Sequence, residues 1–243
     1  MIKILKFLRG IKLILINSIH FRSKLLGMKL LWFLVINSFT KYMYLKIKNK
    51  SINDDFFKYL KVFKFSRNYF KNNPPIWFEI FDKNLLMDKK VNVLEIGTFE
   101  GMSFLFFQKY LQLENIYCVD LIENDNFKFN KEKFENYKYF NSSSDEFFRK
   151  KIGIKFDIIY VDGSHYVNDV YNDLINSHKN LKENGILIID DLLLDIEFRK
   201  NKKHFDEVIS AVFMFLNKKF EYKILYAGHQ LILQKLKSSN FTI

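Results

Sequence analysis

The sequence predicts an α/β fold: a doubly wound, mostly parallel seven-stranded sheet with an antiparallel C-terminal hairpin and a helical N-terminal extension. Short apolar segments alternate with segments of helical periodicity, which is the order of a parallel sheet covered by helices. Several apolar segments end in an acidic residue, at the edge where such sheets bind ligands. The length of 243 residues suits one domain of this kind with an extension.

The first fifty residues are both basic and apolar. Residues 1–50 contain 11 Lys or Arg and no Asp or Glu, so they hold +11 of the formal net charge of +12. Their apolar runs, such as Leu30–Ile36, are shorter than the roughly 20 residues that a spanning helix needs. Two interpretations stay open: interfacial helices on an anionic membrane surface, and a helical cap with solvated lysines. Nucleic-acid binding is disfavoured, because the basic residues sit among aliphatic side chains.

The cysteine content bears on the compartment. The single cysteine, Cys118, lies in an apolar strand-like segment, so the chain has no internal disulfide and no cysteine-cluster zinc site. We expect a buried thiol in a reducing, cytoplasmic location, peripheral to the membrane if the extension binds lipid. The oligomeric state is not predicted.

A helix and a linker are expected between the extension and the domain. Apolar residues recur near helical spacing from Phe56 to Phe70, and Asn72-Asn-Pro-Pro75 then interrupts the pattern with both prolines of the chain. Residues 51–75 are therefore assigned to a helix and linker, and residues 76–243 to the domain.

Strands and helices are expected to alternate in that domain. The predicted strands are 91–96, 116–120, 137–140, 156–161, 185–189, 222–226 and 230–234, and the predicted helices are 101–112, 130–136, 145–151, 166–182 and 205–216.

The run Val91-Asn-Val-Leu-Glu-Ile-Gly-Thr-Phe-Glu-Gly101 is the most informative stretch of the chain. Its pattern Glu95-x-Gly97-x-x-x-Gly101 predicts a cofactor loop, because glycine has no Cβ and tolerates positive φ. A tight packing turn is the alternative. The dinucleotide fingerprint has three glycines, and this loop has two. Asp120 ends the next strand about 20 residues on, where doubly wound folds place a carboxylate on a ribose diol.

In combination, these motifs resemble a known family. The glycine loop, Asp120, Asp157-Ile-Ile-Tyr-Val-Asp162-Gly-Ser-His165 and Gly185-Ile-Leu-Ile-Ile-Asp190-Asp191 are similar to class I S-adenosylmethionine-dependent methyltransferases of the catechol-type and sugar O-methyltransferase branch. The resemblance covers roughly residues 75–236 and implies a Rossmann-like sheet with S-adenosylmethionine as cofactor. It implies that Asp120 takes both ribose hydroxyls. The other implied cofactor-binding residues are Glu95, Gly97, Thr98 and Gly101 at the methionine part and Asn141 and Ser142 at adenine.

Three acids form the candidate metal site. Asp162 follows the fourth predicted strand and Asp190 and Asp191 follow the fifth, and the family's sheet order makes these strands neighbours. Three carboxylates together need compensation, and hard oxygen ligands suit Mg²⁺ or another divalent cation. The alternative is that Asp190 caps the following loop and no metal binds.

His165 and Asp162 are the candidate catalytic residues. In the catechol-type relatives a lysine base stands three residues after the acid, and His165 occupies that offset here. Histidine titrates near neutrality and could remove the proton of an oxygen nucleophile. It could instead contact the substrate or cap a helix.

The resemblance predicts O-methylation of a hydroxyl on a small molecule or sugar. Nucleic-acid amine methylation is disfavoured, since no aromatic-Pro-Pro-Tyr loop follows the fourth strand. Two alternatives stay open: a nicotinamide-dependent oxidoreductase on a similar sheet, and a non-catalytic membrane-associated adaptor that keeps the fold.

Overall fold

The computed structural model describes residues 2–36, 40–70, 73–193, 208–218 and 220–237. Within them lies one seven-stranded sheet of order β3-β2-β1-β4-β5-β7-β6, in which β7 pairs antiparallel with β5 and β6 and the other pairs are parallel. The predicted fold class is confirmed. The strands are β1 Lys90–Ile96, β2 Gln112–Asp120, β3 Tyr137–Asn141, β4 Phe156–Val161, β5 Leu181–Ile189, β6 Tyr222–Ala227 and β7 Leu231–Lys235.

Helices cover both faces of the sheet. They are α1 Ile2–His20, α2 Lys24–Ile36, α3 Tyr42–Lys48, α4 Lys50–Tyr59, α5 Pro74–Lys83, α6 Met102–Tyr110, α7 Asp125–Lys131, α8 Ser144–Arg149, α9 Val167–Asn180 and α10 Val208–Leu216, with a 3₁₀ turn at Leu60–Val62. The predicted helix near 130–136 lies earlier, because the side chain of Asn124 accepts a hydrogen bond from the Asn126 amide and starts α7 there.

The sheet separates two apolar clusters. Successive strand residues point to opposite faces, so Val93 of β1 packs in one cluster and Leu94 in the other. The Leu94 side carries α1, α2, α8, α9 and α10, and the Val93 side carries α4, α5, α6 and α7. Because both faces are buried, the central strands are mainly apolar, and Asn92, Glu95 and Asp157 are buried polar exceptions.

The sequence predicts a linker at the proline pair, but the structure places both prolines in a helix. Pro74 and Pro75 are the first residues of α5, where a missing amide proton costs no helical hydrogen bond. Trp77 of this helix is fully buried. The helix expected from Phe56 to Phe70 is also shorter, since α4 ends at Tyr59.

The N-terminal helices pack on the domain. Ile14 of α1 and Leu30 of α2 are buried in the same cluster as the sheet residue Leu94. On the other side of the sheet, Nζ of Lys48 lies 2.8 Å from Oε2 of the buried Glu79 in α5. Among the described residues, no helix has the length and apolarity needed to cross a membrane.

The strand register brings the chemistry-bearing residues to one edge. Ile96 of β1 pairs with Val161 of β4, and Val161 pairs with Ile189 of β5. The residues after these three strands therefore emerge together. Leu231 pairs with Ile189 in the antiparallel direction, so the turn before β7 reaches the same edge.

Candidate active site

A cavity of about 1000 Å³ opens at the carboxyl edge of the sheet. The glycine loop, the end of β2 and the ends of β4 and β5 all contribute to its walls. The cavity brings together nine of the eleven residues singled out from the sequence, and Glu95 and Asn141 are the two that do not line it. The predicted residues on the wall are Gly97, Thr98, Gly101, Asp120, Ser142, Asp162, His165, Asp190 and Asp191.

His229, which was not among the predicted residues, also lines the cavity. Glu95 lies fully buried behind the wall. Asn141 is directed elsewhere, because its side-chain amide donates to the carbonyl of Leu121. The roles assigned to these residues stay predictions.

The two glycines of the loop are required by packing as well as by φ. Gly97 has φ +86°, and a Cβ there would lie 2.1 Å from the carbonyl oxygen of Asp162. Gly101 has φ +80° at the start of α6, and a Cβ there would lie 2.6 Å from the Phe127 ring. The close approach at Gly97 is thus to the end of β4, so this glycine sets the distance between the cofactor loop and Asp162.

Glu95 is held inside the protein beneath the loop. Its carboxylate accepts a hydrogen bond from the Ser103 hydroxyl of α6, and the thiol of Cys118 lies beside its other oxygen. Burial raises the pKa of Glu95 to about 8, despite the hydrogen bond from Ser103. Burial thus favours the protonated form of this side chain, which joins β1 to α6.

Asp120 is oriented by the loop. Its Oδ2 accepts a hydrogen bond of 2.8 Å from the backbone amide of Phe99, and its backbone carbonyl accepts one of 3.0 Å from the Ser142 amide. These contacts fix the carboxylate at the end of β2, on the cavity wall.

Ser142 and Thr98 give the cavity wall polar groups that suit a bound nucleoside. Thr98 is buried, and the Ser142 hydroxyl is buried without a hydrogen-bond partner among the described residues. A buried hydroxyl of this kind favours a ligand group that can pair with it. The residues present therefore fit an S-adenosylmethionine-type cofactor.

Two of the three predicted metal ligands share one hydroxyl. Tyr160 contacts Oδ2 of Asp162 at 2.8 Å and also bonds Oδ2 of Asp190. Burial and the proximity of Asp190 raise the pKa of Asp162 well above its usual value. Burial also raises the pKa of Asp190. Two ionised carboxylates this close would repel each other, so a shared proton or a bound cation would stabilise the pair Asp162 and Asp190.

Asp191 lies between two histidines. Its Oδ2 is 3.0 Å from Nε2 of His165, and its Oδ1 is 3.0 Å from Nε2 of His229. Burial alone would raise the pKa of Asp191, but the hydrogen bonds from both imidazoles outweigh it and hold the pKa well below its usual value. Asp191 is therefore a carboxylate of lowered pKa in close contact with both imidazoles.

His229 and Gln230 were missed by the sequence analysis. The Leu192 amide donates to the carbonyl of His229 at 2.8 Å, and the Gln230 amide donates to Oδ2 of Asp190 at 2.7 Å. The Trp77 indole in turn donates to Oε1 of Gln230 at 2.7 Å. The turn sequence Ala227-Gly228-His229 was visible, but no local pattern says that β7 lies next to β5.

The donor set fits a divalent cation. Ligand atoms of Asp162, His165 and Asp191 lie within 4.8 Å of one another, as do those of Asp190, Asp191 and His229. The predicted acids thus meet in two groups that share Asp191, and each group includes a histidine. Carboxylate oxygens suit Mg²⁺, and a cation would offset the repulsion between the neighbouring carboxylates of Asp162 and Asp190.

The comparisons with known proteins bear on the class of protein to which the chain is similar. A family model described as a methyltransferase domain matches residues 94–192, from the glycine loop to the residue after Asp191. Together with the strand order of the sheet, this match indicates a methyltransferase domain of the S-adenosylmethionine-dependent class in this part of the chain. No curated protein matches the sequence.

Solved structures share the fold at low identity. MycE, a methyltransferase from the mycinamycin biosynthetic pathway in complex with Mg, SAH and mycinamycin VI, is 15% identical with a TM-score of 0.57 over 79% of this chain and 56% of MycE. A candidate caffeoyl-CoA O-methyltransferase from Staphylococcus aureus is 16% identical with a TM-score of 0.55, over 81% of this chain and 99% of that one. A candidate O-methyltransferase from Klebsiella pneumoniae is 12% identical with a TM-score of 0.53, over 79% and 89%. This chain spans just over half the length of MycE.

Proposed function

We propose that this protein transfers the methyl group of S-adenosylmethionine to a hydroxyl oxygen of a small molecule or sugar. The observation that carries the proposal is the group formed by His165 and Asp191 on the wall of the cavity that Asp120 and the glycine loop also line. A base oriented by an acid, next to a nucleoside-type site, suits deprotonation of an alcohol.

The cofactor supplies an electrophilic methyl group on a sulfonium. When bound, this group would be the source of the methyl that replaces the proton of the acceptor hydroxyl. His165 takes the hydroxyl proton, and the ionised Asp191 stabilises the imidazolium that results. Asp120, Thr98, Gly97 and Ser142 would hold the cofactor.

A divalent cation is the second component that we propose. Asp162, Asp190 and Asp191 would hold it, with Mg²⁺ as the first choice because the oxygens are hard ligands. The cation would polarise the acceptor hydroxyl and lower its pKa. The MycE complex with Mg and SAH gives this proposal support by analogy of fold.

Calorimetric titration with S-adenosylhomocysteine and, separately, with NADH tests the proposal. We expect S-adenosylhomocysteine to bind with a dissociation constant on the order of micromolar, and NADH to give no heat. Methyl-labelled cofactor would then be incubated with sugar and catechol acceptors and with their amino analogues. Label on the hydroxyl compounds supports the proposal, and binding of NADH alone would replace it with an oxidoreductase.

We also propose that the reaction takes place at an anionic membrane surface. The support is the sequence of residues 1–50, which combines 11 basic residues with apolar helices and no acid.

A further inference from the structure

The hairpin formed by α1 and α2 has an inner face that packs on the domain. Ile14, Leu30 and Leu34 are each at most 2% exposed. The Ser210 hydroxyl of α10 donates to Oδ1 of the buried Asn17 at 3.0 Å. The inner side of the hairpin therefore holds it on the domain. The interpretation of residues 1–50 as a helical cap applies to this inner side.

The opposite side of the hairpin is apolar and exposed. Its apolar residues recur every three or four positions along α2 and at intervals of seven and four along α1, so each set forms one stripe. We call this surface the outer face; its residues are Leu8, Leu15 and Ile19 of α1 and Leu25, Met28, Trp32 and Val35 of α2, with exposures from 43% to 73%. Surface stripes of this kind mark contact with another apolar phase.

Basic residues border the same surface. Lys12 lies within the α1 stripe, Lys29 lies beside the α2 stripe, and Arg22 and Lys24 stand at the turn; all four are exposed. The first acid of the chain is Asp54. An occupant of the outer face must therefore offer both apolar groups and negative charge.

We infer that the outer face docks on the surface of an anionic lipid bilayer. Interfacial helices bury an apolar stripe at the level of the lipid headgroups while lysines contact anionic lipids, and Trp32 has the side chain that prefers this depth. A second copy of the chain fits less well, because a two-fold contact through this face would bring the same lysines together without acids to pair them.

The middle of α1 packs against the segment that follows the acids of the candidate site. A Cβ on Gly10 of α1 would lie 2.8 Å from Cδ1 of Leu193, which stands two residues after Asp191. Docking would thus bring the acidic end of the cavity near the lipid, where the acceptor hydroxyl of a membrane-borne molecule would be presented. That consequence rests on the proposed methyl transfer, whereas the docking itself does not.

Tryptophan fluorescence of the full chain can test the docking. The chain has two tryptophans, and Trp77 is fully buried whereas Trp32 is 65% exposed. Vesicles would contain phosphatidylcholine alone or mixed with phosphatidylglycerol, each with and without brominated acyl chains. We expect binding to the mixed vesicles only, a blue shift, and quenching by the brominated lipid that Trp32→Phe abolishes.

Matched variants separate the outer face from general charge effects. Leu25→Glu/Met28→Glu keeps Trp32 and should weaken vesicle binding by about tenfold or more. Val62→Glu/Leu85→Glu adds the same charge at exposed residues on the other side of the sheet and should leave binding unchanged. Circular dichroism and S-adenosylhomocysteine titration would verify that each variant keeps its fold and site.

Three results would overturn the inference. One is emission that brominated lipid does not quench, and another is equal loss of binding in both double variants. The third is a dimer in light scattering that Leu25→Glu/Met28→Glu converts to monomer, since a second copy would then cover the outer face. Because vesicle binding is measured without cofactor, a failed methyl transfer would not produce any of them.

Discussion

Oδ2 of Asp191 lies 3.0 Å from Nε2 of His165, although the two residues follow different strands. The contact exists because β4 and β5 are neighbours in register and end at the same edge. The proposed base role of His165 depends on this contact, which gives the first prediction.

Replacing His165 with Gln should reduce methyl transfer by about 10²–10⁴-fold, because the acceptor proton loses its base. Binding of S-adenosylhomocysteine should persist, since the cofactor residues are untouched. Single-turnover rates and calorimetry measure the two effects. His20→Gln, outside the cavity, is the matched control, and an unchanged rate in His165→Gln would remove the base role.

Asp120→Ala should weaken S-adenosylhomocysteine binding by about tenfold to a hundredfold, because a charged hydrogen-bond acceptor is lost. The Phe99 amide that bonds Asp120 would also lose its partner. Asp125→Ala removes an exposed carboxylate paired with Lys128 and serves as the control. Equal affinity of the two variants would place the ribose elsewhere.

Chelation should abolish turnover, and added Mg²⁺ should restore it. Paramagnetic resonance with Mn²⁺ as a stand-in gives a readout that does not depend on activity. Asp190→Asn should lose Mn²⁺ binding, because one buried carboxylate no longer contributes charge. Asp169 is another acid of the cavity wall, and it accepts a hydrogen bond from the Ser164 hydroxyl. The control variant Asp169→Asn should keep Mn²⁺ binding. Turnover that resists chelation would eliminate the metal.

Gly97→Ala should destabilise the fold by more than about 2 kcal/mol, since the added Cβ would lie 2.1 Å from the Asp162 carbonyl at a positive φ. Gly153→Ala has a similar φ of +70° but nothing within 4 Å, so only the backbone cost of about 1 kcal/mol applies. Urea unfolding compares the two. An equal decrease in the free energy of unfolding in both variants would mean that the close approach of Gly97 to β4 does not contribute to the cost.

Glu95 should make stability fall with rising pH. Its pKa is about 8 in the folded protein, against a usual value of 4.5, so the unfolded chain releases this proton first. Stability from this group is complete below about pH 4.5 and is lost up to about pH 8, at ~1.4 kcal/mol per pH unit. Glu95→Gln should flatten that slope in urea unfolding measured across the range. A parallel slope in both proteins would show that Glu95 is ionised when folded.

Local patterns were sufficient for the sheet and for most of the cavity wall. An acid such as Asp120 at the end of an apolar strand is readable, because parallel strands share one carboxyl edge. The position of His229 cannot be predicted from a local pattern, since it depends on β7 lying between β5 and β6 in the sheet. The direction of the Asn141 side chain cannot be predicted from residue spacing either, because it is set by a hydrogen bond to the carbonyl of Leu121. Helix α5 was missed because its two prolines were read as a break.

The ion pair of Lys48 with Glu79 limits how far the chain can be shortened. Glu79 is buried, and although burial alone would raise its pKa, hydrogen bonds from Lys48, Lys83 and Asn49 lower it to about 2. Removing residues 1–50 would strip two of these three partners from an ionised carboxylate, which costs more than the pair contributes when intact. The smallest fragment that folds independently should therefore begin before α3, far upstream of the matched segment 94–192.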